Sequence, residues 1–472
     1  MKTESRRHQF NPTRTFMNPI RPLLFAAILA GFSPGGLSAA DWLRFRGPNG
    51  SGIAPDAKPL PTRWSDTENL KWKTALPGPG SSCPIVVGNR VFVTCWSGYA
   101  VDPANPGDQE NLKRHLVCVD RATGKILWDK PVKARLPEDR YGGMFAQHGY
   151  ASHTPVSDGR AVYAFFGKSG VHAFDLEGRE LWQAQVGDGL DDRNWGSACS
   201  PIIVGELVIV TAAAESQTMF AFDRTTGRQV WKSEAEGFNS TWGTPVVLST
   251  AGREDIVLAV PREVWGISPA SGKLRWMSEG PKTDSVTGSV VAHEDLVYCM
   301  GARGAGSMAI RGGGSKDVTK THVAWTGRDG ANIMTPVLVE GRLYWIAGSL
   351  ANCRDAKTGA EVYSERLPGG AEVLAAGGNL PGGGRGGPGG GGPGGGRGGM
   401  GGADYASPVA GGGHWYQVTR RGDILVVKLG PTFELVSRNK FAADTSDFSA
   451  TPAISDGQLF VRSAKNLYCI GN

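Results

Sequence analysis

Two histidines, His148 and His153 in HGYASH, are the residues of this chain whose type best suits metal binding or proton transfer. On an extended segment that spacing gives them no common face. No third ligand can be named beside them, whereas a zinc site uses three or four, so no metal site is assigned. The acidic pairs Glu138–Asp139 and Asp191–Asp192 have the residue types of a general acid and base, but they sit in loop-like stretches and read as solvated turn residues. A third set mixes aromatic and polar side chains: Tyr150, Arg193, Trp195, Asn239, Trp242, Asp404 and Tyr405. Such a set could stack a planar ligand or a sugar, or fill the mouth of a channel, and filling is the favoured reading. No GxSxG elbow, HExxH helix or phosphate-binding loop occurs, and no catalytic residue is assigned.

A repeat must position these residues. One phrase recurs: an alternating apolar run, often an aspartate, a Thr-Gly or equivalent turn, then a tryptophan. It ends at Trp128 in LVCVDRATGKILW, at Trp182, at Trp231 in MFAFDRTTGRQVW and at Trp276, with a weaker copy at Trp325 and a tyrosine, Tyr363, in CRDAKTGAEVY. The turn glycine suits a hairpin that needs positive φ, and the aromatic residue reads as packing between neighbouring units. A second phrase precedes each of these, a small polar residue and usually a proline followed by alternating Val and Ile, as in CSPIIVGELVIVTA. Its eight anchors are Pro84, Pro155, Pro201, Pro245, Val290, Pro336, Pro408 and Pro452, mostly 44 to 46 residues apart. Four strands at this period predict an all-β, eight-bladed propeller of four-stranded antiparallel blades over 69–472. The last unit lacks its outermost strand, and ENLKWKTAL, with Trp72, supplies it from the other end and closes the ring.

The ends and the charges narrow the function. Residues 1–40 hold an apolar run, LLFAAILAGF, after Arg14 and Arg21, with small residues before Ala40, and read as a signal peptide cleaved there. The run is too short for a membrane anchor, so the expectation is an exported protein, periplasmic or extracellular, with no transmembrane segment. Five of the 50 basic residues and one of the 44 acidic ones lie in that segment, so the formal charge falls from +6 to +2 without it. A near-neutral chain offers no field for nucleic acid. Residues 41–68 carry no repeat register and are expected along the outside as an N-terminal extension. The seven cysteines show no CxxC or adjacent pair and read as buried thiols; Cys118, Cys353 and Cys469 fall at one repeat position. The glycine-rich stretch 380–403 reads as a disordered loop between blades 6 and 7. Propeller geometry puts the long stretches 95–115, 133–152 and 367–404 on one face, the expected ligand face.

The Asp, Thr-Gly and Trp phrase resembles the repeat of the pyrroloquinoline-quinone-like (PQQ-like) propeller superfamily, and DWLRFRGPNGSG (41–52) looks like the leader of its exported bacterial members. The resemblance implies the propeller fold. It also implies two contrasting uses: quinoprotein alcohol dehydrogenases, with quinone and calcium on the axis, and the non-catalytic assembly factor BamB. The chain lacks the adjacent cysteines of the dehydrogenases, and no motif matches their base and calcium ligands residue by residue. It also lacks the lipoprotein cysteine of the assembly factor. The expectation is an exported, non-catalytic binding or assembly scaffold with protein partners or a small ligand on the loop face and no cofactor. The alternative is an oxidoreductase of alcohols or sugars using PQQ and Ca²⁺, and a third reading is carbohydrate binding.

Overall fold

The computed structural model describes residues 41–368 and 405–472, apart from 55–57, 103, 142–143, 192, 303 and 332. Eight sheets follow one another, each starting at one of the eight anchors. Blade 1 is Ile85–Val87, Arg90–Ser97, Lys113–Asp120 and Ile126–Lys133, ordered from the innermost strand, a, to the outermost, d. Blade 2 is Val156–Ser157, Ala161–Phe165, Val171–Asp175 and Glu180–Ala184, and blade 3 is Ile202–Val204, Leu207–Ala212, Thr218–Asp223 and Gln229–Glu234. Blades 4 to 7 occupy 246–279, 291–327, 337–366 and 409–439. Blade 8 takes its three inner strands from 453–470 and its outermost from Leu70–Ala75, so the ends of the propeller sequence meet in one sheet. Blade 4 departs from four strands: Lys316–Asp317, in an excursion of blade 5, adds a short parallel strand to its outer edge.

Two repeated contacts hold the blades together, and both explain the sequence phrases. On the outside, the indole N–H of Trp72, Trp128, Trp182 and Trp231 donates to a carbonyl in the turn of the next blade, at 2.8–3.0 Å. Trp325 does the same to Ala356. The ring lies on that turn's glycine. A Cβ on Gly227 (φ 71°) would sit 2.6 Å from the Trp182 ring, and one on Gly359 2.6 Å from that of Trp325. Glycine is therefore needed both for its positive φ and for the ring above it. Trp276 differs and donates to Asp255 of its own blade, because the next blade carries the 312–322 excursion where the turn would be. The cysteines Cys118, Cys353 and Cys469 stand opposite Trp128, Tyr363 and Trp72 in the third strand. All seven cysteines are free and buried, and burial pushes these three thiols up to about 12.

Around the axis runs a closed ring of hydrogen bonds. The backbone N–H of Cys83 donates to the Thr154 hydroxyl, Thr154 to Ser200, Ser200 to Thr244 and Thr244 to Ser289. Ser289 continues to Thr335, Thr335 to Ser407 and Ser407 to Thr451. The Thr451 N–H returns to Cys83 Sγ, closing the circle. The small polar residue before each anchor is thus a buried acceptor that satisfies a neighbour's backbone.

Residues 41–54 do not lie outside the propeller. They run among the innermost strands: Trp42 pairs with Val86 of blade 1, Leu43 accepts from Ser157 of blade 2, and Ile53 pairs with Ala410 of blade 7. Arg44 donates to the Pro245 carbonyl of blade 4. Arg46, fully buried, gives its guanidinium to the carbonyls of Thr335, Pro336 and Pro408 at 2.6–3.2 Å, and burial lowers it to about 9. No propeller repeat could announce this, since the segment has none; the apolar and cationic side chains fill a channel that would otherwise be open.

Candidate functional site

The connections entering each innermost strand and the b-to-c loops share one face, and on it the sectors of blades 1 to 3 carry most of the chemistry. The short helix Met144–Gly149, in the connection from blade 1 to blade 2, spans the mouth of the channel. Phe145 stacks on Trp195, from the next connection, with ring centroids 5.5 Å apart. His148 stacks on Tyr405, from the connection into blade 7, at 4.3 Å. One helix therefore touches both sides of the mouth. Trp195 also packs against Trp242 at 5.1 Å and lies under the guanidinium of Arg193. Trp242 donates to the Gly196 carbonyl, and Arg193 to Ser240 and to the Asp284 carbonyl. Asn239 is half-buried in the same connection as Trp242.

The structure thus brings Arg193, Trp195 and Trp242 together and, separately, His148 and Tyr405. Tyr150 is buried among Trp96, Tyr99 and Tyr141. His153 is buried on Phe165, with ring centroids 4.3 Å apart. The two histidines have different partners: His148 is hydrogen-bonded to Ser152 and His153 to Ser197. Asp404, Asp192 and the glycine-rich stretch lie outside the described residues.

Under the helix is a polar centre that the sequence does not announce. Glu138 and Asp139 are not solvated turn residues: both are more than nine-tenths buried. Glu138 is 2.6 Å from Arg114, and Asp139 is 2.6 Å from Lys168 Nζ, all four side chains being buried. The correction has a plain cause. Lys168 comes from a loop of blade 2 and Arg114 from the third strand of blade 1, and both reach under the 134–155 connection to meet the acids. Asp139 also accepts from the Tyr141 hydroxyl at 2.9 Å, and the Asp139 carbonyl accepts from Tyr150 at 2.7 Å. Asp191 too is buried and accepts from the Trp195 N–H.

A third carboxylate, Glu215, forms no ion pair among the described residues. It lies in the short helix Ala213–Ser216 after the second strand of blade 3, fully buried, and Oε1 accepts from the Ser197 hydroxyl at 2.5 Å. Its other oxygen is buried with no hydrogen bond from another residue, among the described residues. Burial, with Glu138 nearby, raises Glu215 from the ordinary 4.5 to about 7. His153, whose Nε2 is 3.0 Å from Ser197 Oγ, is lowered to about 3 by burial and by Arg114, so it stands neutral. With Nε2–H donating to Ser197, the serine hydroxyl passes its own proton toward Glu215. The arrangement can hold one exchangeable proton near neutrality, in a site where Glu215, Ser197 and His153 are all buried.

Arg114, Lys168, Ser197 and Glu215 are absent from the sequence-level candidates. The available signal was a charge set in an apolar run, Lys168 in FFGKSG and Glu215 in VTAAAESQ. Among the described residues no three His, Cys, Asp or Glu side chains converge as a metal site, and no helix is long and apolar enough to cross a membrane.

Comparison with known proteins agrees with this geometry at the level of fold. Tetrathionate hydrolase of Acidithiobacillus ferrooxidans is 22% identical over 331 residues, which take in 64% of this chain and 62% of that protein's length. The crystal structure of BamB from Moraxella catarrhalis superposes with a TM-score of 0.56 at 10% identity, over 85% of this chain and 99% of that one. Quinohemoprotein alcohol dehydrogenase from Comamonas testosteroni gives 0.58 at 11% identity, over 92% and 81%. Residues 112–365, more than half of the chain, match the PQQ-repeat family described as outer membrane protein assembly factor BamB. The chain belongs to that family of PQQ-like, BamB-like eight-bladed propellers.

Proposed function

We propose that this chain is an exported propeller that acts on a small polar molecule by acid–base chemistry at Glu215, rather than an assembly scaffold. The observation that carries this reading is the buried centre itself, with two cations against three carboxylates. A docking face can keep its charges in solvent. Burying five ionisable groups together sacrifices stability, and a carboxyl held near neutrality is what a general acid or base requires.

Oxidation of an alcohol or a sugar is the second reading. It is favoured by the likeness to a quinohemoprotein alcohol dehydrogenase over 92% of this chain, and by a carboxylate able to accept a hydroxyl proton. Quinone with calcium, however, does not fit the residues as they stand. Arg46 and its segment fill the axis, the helix closes the mouth, and the described residues offer no converging metal ligands. No step is derived through that pair. Carbohydrate binding on Trp195 and Trp242 has less support, because both rings are half-buried and packed on each other.

The test is turnover by the mature chain on a panel of alcohols and sugars, with and without an electron-accepting dye and added quinone and calcium. The expected result is turnover without quinone, reduced about 100-fold or more in Glu215→Gln. Turnover only with quinone would establish the second reading. No turnover on any substrate, with specific capture of envelope proteins by the loop face, would overturn both and favour the scaffold.

A further inference from the structure

Blade 1 holds a second chemical arrangement, away from the centre under the helix. Ser97 is the last residue of its second strand, His115 lies near the start of the third, and Asp129 lies in the fourth. The register brings them together. His115 pairs with Cys95 on one side and Pro131 on the other, and Ser97 and Asp129 stand two residues from those partners. Since side chains alternate, all three project from one face of the blade as diagonal neighbours. His115 Nε2 is 2.8 Å from Ser97 Oγ, and Nδ1 is 2.8 and 3.1 Å from the two carboxylate oxygens of Asp129.

The partners fix the direction of proton flow. A carboxylate accepts, so the contact with Asp129 places a proton on His115 Nδ1, and in the neutral ring Nε2 is then the acceptor for the Ser97 hydroxyl. This is the orientation of a nucleophile and its base. Ser197 is wired the other way: its hydroxyl donates to Glu215 and accepts from His153. Of these two serine–histidine contacts, that of Ser97 is therefore the one polarised for attack; the third, Ser152 with His148, is longer at 3.3 Å.

Access also differs along the triad. The His115 side chain is 8% exposed and that of Asp129 31%. Ser97 is half-buried, and the next residue, Gly98, is exposed, where the loop face begins. Gly98 has φ 82°, and a Cβ there would sit 1.9 Å from the Asn111 carbonyl oxygen. The position is thus restricted to glycine. The backbone N–H following a nucleophile is also where hydrolases place an oxyanion donor.

We propose that Ser97, His115 and Asp129 form a catalytic triad that hydrolyses small carboxylic esters at the blade 1 edge of the loop face. Ser97 Oγ bonds to the ester carbonyl carbon as its proton passes to His115 Nε2. The carbon–alkoxy bond then breaks and His115 returns the proton to the departing alcohol. Water, deprotonated by His115, releases the acid from Ser97 and restores the hydroxyl. Ester and water become acid and alcohol, with nothing oxidised or reduced. Asp129 holds the ring through His115 Nδ1. This activity is independent of the chemistry proposed at Glu215.

The test treats the folded mature chain with a fluorophosphonate probe and measures p-nitrophenyl acetate hydrolysis. The expected result is a probe adduct on the peptide containing Ser97, with labelling and hydrolysis lost in Ser97→Ala. His115→Gln is expected to lower hydrolysis about 1,000-fold, and Asp129→Asn to lower it similarly with an altered pH profile. A second variant guards against loss of fold. Ser97→Cys places a thiol beside His115, while all seven native thiols are buried, and should alkylate with iodoacetamide about 10-fold faster than a free cysteine at pH 7. That advantage should vanish in the Ser97→Cys, His115→Gln double variant. A folded wild-type chain that leaves Ser97 unmodified, or a Ser97→Cys variant whose new thiol reacts no faster than free cysteine, would overturn the proposal.

Discussion

The rim of the propeller and its core follow opposite rules. At the rim one contact recurs from blade to blade: an indole on a glycine turn, its N–H on a carbonyl of the next blade. Around the axis the hydroxyl ring repeats as well, with Cys83 as its single substituted link. What fills the channel and covers its mouth repeats nowhere. Arg46, the helix Met144–Gly149 and the charges beneath it come from non-equivalent segments. The lesson is a division of labour. Repeated contacts make the scaffold, and the single-copy insertions hold buried charge that the scaffold does not need.

Substitutions in the two regions should therefore separate stability from chemistry. Arg46→Ala removes the donor for several buried carbonyls and empties the axis; denaturant titration should show a loss of about 3–5 kcal/mol. Trp182→Ala deletes one rim contact and should lose about 3 kcal/mol, with activity per folded molecule unchanged. Thr244→Val leaves the Ser200 N–H without its acceptor and should lose about 1–3 kcal/mol. By contrast Cys83→Ser, which keeps an acceptor for Thr451, should lose less than Cys83→Ala in the same titration. At the centre the sign reverses: Glu215→Gln should lower the acid–base turnover about 100-fold or more while leaving stability equal or up to about 2 kcal/mol higher at pH 8.

The pH dependence sharpens the same contrast. Glu215, raised from 4.5 to about 7, binds its proton more tightly folded than unfolded. Its contribution is full below pH 4.5 and is lost as pH rises through 7. His153 and His148, lowered to about 3 and about 4, act oppositely: their contribution is full above 6.5 and is lost as pH falls toward those values. Just above pH 6.5 Glu215 acts without them. The melting temperature of the wild type should fall from pH 6.5 to 8, and that slope should flatten in Glu215→Gln.

The fold was legible because each blade repeats its own instructions. The Thr-Gly turn, the tryptophan and the small polar residue before each anchor all mark contacts that the structure contains. The order of strands followed, and so did the closing strand around Trp72. Of the site, the sequence named residues that the structure brings together in two separate pairs, Trp195 with Trp242 and His148 with Tyr405. It did not hold the centre, because the partners of Glu138 and Asp139 come from separate strands and loops, and pairing across blades leaves no local pattern. The same holds for Ser97, His115 and Asp129, whose meeting depends on strand register. The placement of 41–54 in the channel was missed because that segment has no repeat to align.

The central claim is that the core holds a carboxyl kept from its ordinary ionisation, ready to exchange a proton near neutrality. Infrared difference spectra of the folded wild type and Glu215→Gln, recorded across pH 5 to 9, test it directly. The expected result is a protonated-carboxyl band, absent from the variant, that titrates away with a midpoint near 7. A Glu215 that is ionised throughout that range would contradict it.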